Sequence, residues 1–271
     1  MDDKSPPPYP PPSVLTAPSE ASTSTPFRTT FASLSMHMGD RLRLLNFPPE
    51  IIAIIRQTIS TSWPRGLQSE MLYHGSHEFK LRGYPWRGHG EEGILSRRLM
   101  SRILSSLQTA GWLLTVVTDV SKKLTDLDTL VFRHAPSDRP DTSAGLEWLC
   151  VHFSMGDKLK LIDAPEDIKQ AIVGLSRRMQ MLQLHKPYQG KGNAGNAYEI
   201  KMVGYPWLAT GGETMLARQF VLALLGILEE HGWSIYASID QKAQGEDSGD
   251  LDTWHCVKTK GWTPGMPVFH R

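Results

Sequence analysis

The string Gly-Tyr-Pro-Trp occurs at 83–86 and again at 204–207, 121 positions apart. In each copy the Gly permits a bend, and the Pro withholds an N–H that a strand ladder would need. The Trp is thereby delivered to a fixed place. If the rings of Tyr84, Trp86, Tyr205 and Trp207 face a cleft, they offer large rigid area with a polar handle, the chemistry of a pocket for a small apolar ligand. The simpler reading is a structural plug, a strand exit whose Trp caps the core. Arg97 and Arg218 are related by the same 121-residue shift. Two guanidinium groups across a shared axis would make an anion clamp. The alternative is helix-start electrostatics, with Glu92 and Glu213 in the first turn and an ion pair between elements.

Other polar groups recur as well. Glu78 and Lys80 match Glu199 and Lys201. At i and i+2 on a strand they share a face, either as a solvated edge pair or as a carboxylate and an amine presented into a groove. Asp126 and Asp128 match Asp250 and Asp252; alternating Asp can collect divalent cations, but turn chemistry accounts for Asp-Leu-Asp-Thr and no wider ligand set surrounds it. His74, His77 and His89 cluster in the first copy without counterparts in the second, while Cys150, His152, His255 and Cys256 are scattered. Zinc needs three or four converging ligands, so no metal site is expected. No nucleophile-elbow, dinucleotide, Walker, zincin or kinase signature is present, and no cofactor is expected. The Gly-rich run 188–197 precedes a strand rather than a helix, so it reads as a loop and not a phosphate cradle.

These residues are positioned by an internal duplication. Residues 35–51 align with 152–168 on Met-Gly-Asp, 78–86 with 199–207, Gly111-Trp112 with Gly232-Trp233, and 126–129 with 250–253. The offset drifts from 117 to 121 to 124, as loop insertions would make it. In 93–111 the apolar residues Ile94, Leu95, Leu99, Met100, Ile103, Leu104 and Leu107 recur at helical spacing, and all seven stay apolar after the shift. Each copy therefore reads as strand, strand, helix, strand, helix, strand, strand: an α+β fold of repeats ββαβαββ, antiparallel sheet with helices packed on one face. Read from the middle of the chain, this order resembles the repeat of TATA-binding-protein-like folds, β-α-β4-α, in topology alone. The expected divisions are a tail at 1–30, repeat 1 at 31–137, a linker at 138–146 and repeat 2 at 147–271, packed about a pseudo-two-fold axis.

Composition narrows the function. The 271 residues carry a net charge of +1, with 13 basic and 9 acidic residues in 31–137 and 12 and 14 in 147–262. That is far from the concentrated basic surface a nucleic-acid binder needs. No run approaches the length of a membrane span, and two cysteines fit a reducing, cytoplasmic or nuclear compartment. The tail is Pro-, Ser- and Thr-rich and is expected to be disordered. Its Pro6-Pro7-Pro8-Tyr9 fits the Pro-Pro-x-Tyr pattern of WW-domain ligands. The expected function is a non-catalytic binding or accessory protein whose inter-repeat groove takes a protein partner or a small apolar ligand. The alternative is an enzyme with a cryptic site at the same interface, using Arg97, Glu92 or their copies.

Overall fold

A computed structural model of the chain describes residues 30–88, 90–120, 127–135, 145–188, 195–241 and 252–270. Repeat 1 runs β1 (Phe31–His37), β2 (Arg41–Leu45), α1 (Pro49–Ser62), β3 (Leu67–Tyr73), β4 (Ser76–Leu81), a 3-10 turn (Pro85–Arg87), α2 (Gly90–Thr109), β5 (Trp112–Thr118) and β6 (Thr129–His134). Repeat 2 runs β7 (Leu146–Ser154), β8 (Lys158–Ile162), α3 (Glu166–Arg178), β9 (Leu182–Pro187), β10 (Ala197–Met202), a 3-10 turn (Pro206–Leu208), α4 (Glu213–Glu230), β11 (Ser234–Ile239) and β12 (Thr253–Thr259). Each repeat forms one six-stranded antiparallel sheet. The strand order is β3-β4-β2-β1-β6-β5 in the first and, in the same sense, β9-β10-β8-β7-β12-β11 in the second. The duplicated α+β fold is thus present element for element. The Pro6-Pro7-Pro8-Tyr9 motif, His89, Asp126 and Asp250 lie outside the described residues.

Each repeat holds one strand more than the sequence pattern predicts. β3 falls in the stretch 63–77, which reads as a loop, and β9 directly precedes the Gly-rich run 188–197. They are edge strands, mostly exposed on both faces. A strand without a buried face shows no alternation of apolar and polar residues; here the backbone ladder is joined by side-chain contacts such as Glu70 with His77 and His185 with Tyr198. The added strand changes the order read from mid-chain to two strands, helix, four strands, helix, and there it departs from the TATA-binding-protein-like order.

Period-two and period-3.6 patterns build the interior. Leu34, Met36, Leu42 and Leu44 point from β1 and β2 to the face that receives Ile51, Ile55 and Ile59 of α1 and Leu99, Ile103 and Leu107 of α2. Burying each such side chain contributes about 1.5–3 kcal/mol. We call this helix-bearing side of each sheet its inner face. The opposite, outer face carries the intervening polar residues.

The repeated Gly-Tyr-Pro-Trp is a clasp onto the turn between the first two strands. Gly83 and Gly204 bend the chain at φ 83° and 67°, a region that disfavours other residues. The Trp86 backbone N–H then donates to Gly39 O and its ring Nε1–H to Arg41 O at 2.8 Å. Trp207 makes the equivalent bonds to Gly156 O and Lys158 O. The surroundings differ. Trp86 is fully buried, whereas Trp207 is only half-buried. In repeat 1, Gly88 and Gly93 let the 3-10 turn press on the first turn of α2; a Cβ on Gly93 would sit 2.7 Å from Gly88 O. Repeat 2 has Ala209 and Thr214 at these places, and there a surface depression of about 470 Å³ opens beside Trp207. Gly93→Ala is accordingly expected to lower stability by about 1–3 kcal/mol through overpacking against backbone, read as a fall in the urea midpoint. An unchanged midpoint would mean that the turn yields without cost.

The two repeats stack head to tail. One side of α2 packs on its own sheet. Its other side lies on the outer face of the second sheet, with Ile94 against Cys150, Ile162 and Ala197. Tyr236, Ala237, Ile239 and Val257 of repeat 2 join the core of repeat 1. The counterpart side of α4 touches nothing comparable: Met215 is 54% and Leu222 67% exposed, against 1% for Ile94 and 6% for Ser101. A two-fold axis would give equivalent residues equal environments. The expected pseudo-two-fold packing is therefore corrected to a one-sided stacking, because among the described residues a helix covers the outer face of the second sheet and none covers that of the first.

Candidate functional site

Where α2 crosses the second sheet, a cavity of about 290 Å³ remains between the repeats. Repeat 1 supplies Gly88, Gly90, Gly93 and Arg97; repeat 2 supplies His152, Ser154, Lys158, Lys160, Tyr188 and Glu199, among others. The glycines let the backbone approach closely and leave the space to the longer polar side chains. Arg97 is buried, with Nε donating to Thr253 Oγ1 at 3.0 Å and Nη1 to Gly93 O at 2.9 Å. Lys160 is buried with its ammonium 5.6 Å from the Tyr188 ring centre, and Lys158 Nζ lies 3.7 Å from Glu199 Oε2. Burial, with the carboxylates of Glu199 and Glu91 near it, pushes the Tyr188 hydroxyl above its usual range, which keeps it a proton donor. Three cationic side chains and one carboxylate thus converge, with hydroxyl donors beside them. In a low-dielectric recess such groups favour anionic oxygens.

Beneath the cavity runs a buried polar chain that joins the repeats. Ser101 Oγ lies 3.0 Å from Cys150 Sγ and 2.8 Å from His255 Nδ1, and His255 Nε2 lies 3.3 Å from Gln241 Oε1. One set of donors satisfies all three contacts: Cys150 donates to Ser101, Ser101 to His255 Nδ1, and His255 Nε2–H to Gln241. This needs a neutral imidazole. Burial, reinforced by the Arg97 charge, pulls the His255 pKa down to about 3. Burial likewise pushes the Cys150 thiol up to about 12, with the bond from Ser101 only partly opposing it. An activated cysteine requires the reverse, a lowered thiol beside a protonated histidine. The chain is therefore an interior fastening and not a nucleophile.

Of the residues singled out by sequence, Arg97, His152 and Glu199 line the inter-repeat cavity. Tyr84 and Tyr205 are 61% and 66% exposed at the bends. Trp86 is sealed in the core, which corrects its place as a cleft wall. Trp207 and Arg218 line the depression on the outside of α4, and Arg218 Nη1 donates to Thr214 O. Arg97 and Arg218 hence form no clamp, because the stacking puts them on different surfaces. Glu92 bonds toward Arg65 and the Tyr84 N–H instead of the cavity. Glu78 does not pair with Lys80: it is buried between Arg41 (2.9 Å) and Arg43 (2.7 Å), while Lys80 leans toward Asp40. Among the described residues no group of three potential metal ligands gathers, and no helix is long and apolar enough to cross a membrane. The lining of the cavity mixes these charged groups with Ile94 and Met155. Sequence pattern missed Lys158 and Lys160. They alternate with Leu159 and Leu161 and so read as the wet face of a strand, with no sign that another repeat covers that face.

Fold and cavity together define a tandem-repeat α+β protein with a polar cavity between its repeats. A single protein-family model matches residues 30–133 and 147–257, well over half of the chain, so the chain belongs to that family and carries its domain twice. No curated protein and no solved structure matches it.

Proposed function

We propose that the protein is a non-catalytic binding protein whose inter-repeat cavity takes a small anionic ligand, a carboxylate- or phosphate-bearing molecule. The observation that supports this is the convergence of Arg97, Lys158 and Lys160 with Glu199, Tyr188 and Ser154 on one recess walled by both repeats. The volume suits a small molecule rather than a peptide. Covalent chemistry finds no support in the neutral Cys150–Ser101–His255 chain beneath.

The test is isothermal titration of the full chain with inorganic phosphate and with citrate. At least one is expected to bind. Lys160→Met is expected to weaken it roughly 10–100-fold, the worth of one charge-assisted hydrogen bond. Arg218→Met, on the outside of α4, is expected to change nothing. Binding that is absent, or equal in wild type and Lys160→Met, would overturn the proposal.

A further inference from the structure

We infer that the protein associates head to tail with further copies of itself, the outer side of α4 in one copy seating on the outer face of the first sheet of the next. The template lies inside the chain, where α2 already seats this way on the second sheet. Among the described residues no helix seats on either of the corresponding halves of that contact, the outer side of α4 and the outer face of the first sheet.

What names a second copy as the occupant is that paired positions have changed together. Within the chain Arg98 forms a bidentate ion pair with Asp163 at 2.7 and 2.8 Å. Their counterparts are Gln219 and Asn46, both neutral amides able to bond each other. Ser101 bonds His255 at 2.8 Å; the counterparts are Leu222 and Val131, both apolar. Ile94 packs on Ile162; the counterparts are Met215 and Leu45, exposed by 54% and 42%. Arg97 donates to Thr253, and Arg218 and Thr129 keep that pair unchanged. The sheet equivalences are fixed by register: Ser35 pairs with Thr129 as His152 pairs with Thr253, and Ser33 with Val131 as Cys150 with His255. Exposure to solvent alone gives no reason for Asp and Arg to be lost together from two surfaces on opposite ends of the molecule. Complementarity between those surfaces gives one.

The same face also repeats the floor of the inter-repeat cavity. Arg41, Arg43, Glu78 and Tyr73 stand where Lys158, Lys160, Glu199 and Tyr188 stand in the second sheet, and the Arg43 guanidinium lies 3.9 Å from the Tyr73 ring centre. Among the described residues no helix roofs this floor, and the incoming α4 with Ala209, Thr214 and Arg218 would supply one. The contact uses different patches on the two partners, so it continues beyond a dimer unless a ring closes.

Sedimentation velocity of the full chain, from low to high micromolar concentration, tests this. The average mass is expected to rise past that of a dimer. Leu222→Glu and Val131→Glu, each folded by circular dichroism, are expected to weaken association at least tenfold. Mixed in equal amounts they are expected to form a 1:1 dimer and stop, because each retains one intact face. A wild type that stays monomeric at every concentration would overturn the inference. So would association abolished by Leu222→Glu but untouched by Val131→Glu, or a mixture that stays monomeric while wild type assembles. If either glutamate variant does not fold, Gln219→Arg with Asn46→Asp is expected to associate more tightly than Gln219→Arg alone; the opposite order would overturn it.

Discussion

Trp86→Ala is expected to lower the unfolding free energy by about 3–5 kcal/mol, and Trp207→Ala by less than half as much. Both rings donate Nε1–H to a carbonyl of the second strand of their repeat, so the lost hydrogen bond is common to the two variants. The difference is burial. Trp86 is sealed by the close approach of Gly88 and Gly93, and its removal leaves a cavity that backbone must collapse to fill. Trp207 already borders an open depression, and water replaces it at small cost. Urea denaturation of both variants measures the gap. Equal losses would show that the sealing around Trp86 carries no energy.

That contrast marks how far the sequence could be read. Gly-Tyr-Pro-Trp was legible as a strand exit ending in a core Trp, because bend, missing N–H and aromatic cap are local properties. The duplication, the main helices and five of the six strands per repeat were legible for the same reason. β3 and β9 were not, since an edge strand without a buried face leaves no period in its side chains. The site was not either. Arg41-Leu42-Arg43-Leu44 and Lys158-Leu159-Lys160-Leu161 show the same alternation, yet only the second of these polar faces lies under a helix among the described residues. Whether a second layer covers a face is decided by packing between repeats, which a single strand's pattern does not record. Arg97 was found because it recurs as Arg218 near the start of the main helix; the lysines that share its cavity read only as the wet face of a strand.

Acid is expected to weaken the fold well before most carboxylates are protonated. The cause is His255, fully buried and neutral in the Cys150–Ser101–Gln241 chain. In the unfolded chain its imidazole takes a proton near pH 6.5, but in the folded protein only near pH 3. Between these values the unfolded state holds more protons, so stability rises with pH, and it falls steadily as the pH drops from about 6.5 toward 3. The full effect is on the order of 5 kcal/mol. Asp128 works in the opposite direction. Burial, partly opposed by the N–H of Asp240 and reinforced by neighbouring carboxylates, raises its pKa from 3.8 to about 6. Its folded form keeps a proton that the unfolded form has lost, so between 3.8 and 6 it reduces stability as pH rises. Asp128 is only half-buried, and water screens its share. His255 therefore dominates. Thermal melts at intervals from pH 7 to pH 4 should show the decline, and His255→Gln should flatten it. A His255→Gln variant with the same acid slope as wild type would contradict this origin.

Tyr236, Ala237, Ile239 and Val257 belong to the second copy by descent, yet they complete the interior of the first. A duplicated gene begins with a spare, and a spare can be damaged without loss. Once one copy's wall is the other's lining, that freedom is gone: truncating the second half strips the first, and damage to either is felt by the whole chain. The duplication has passed from redundancy to mutual dependence.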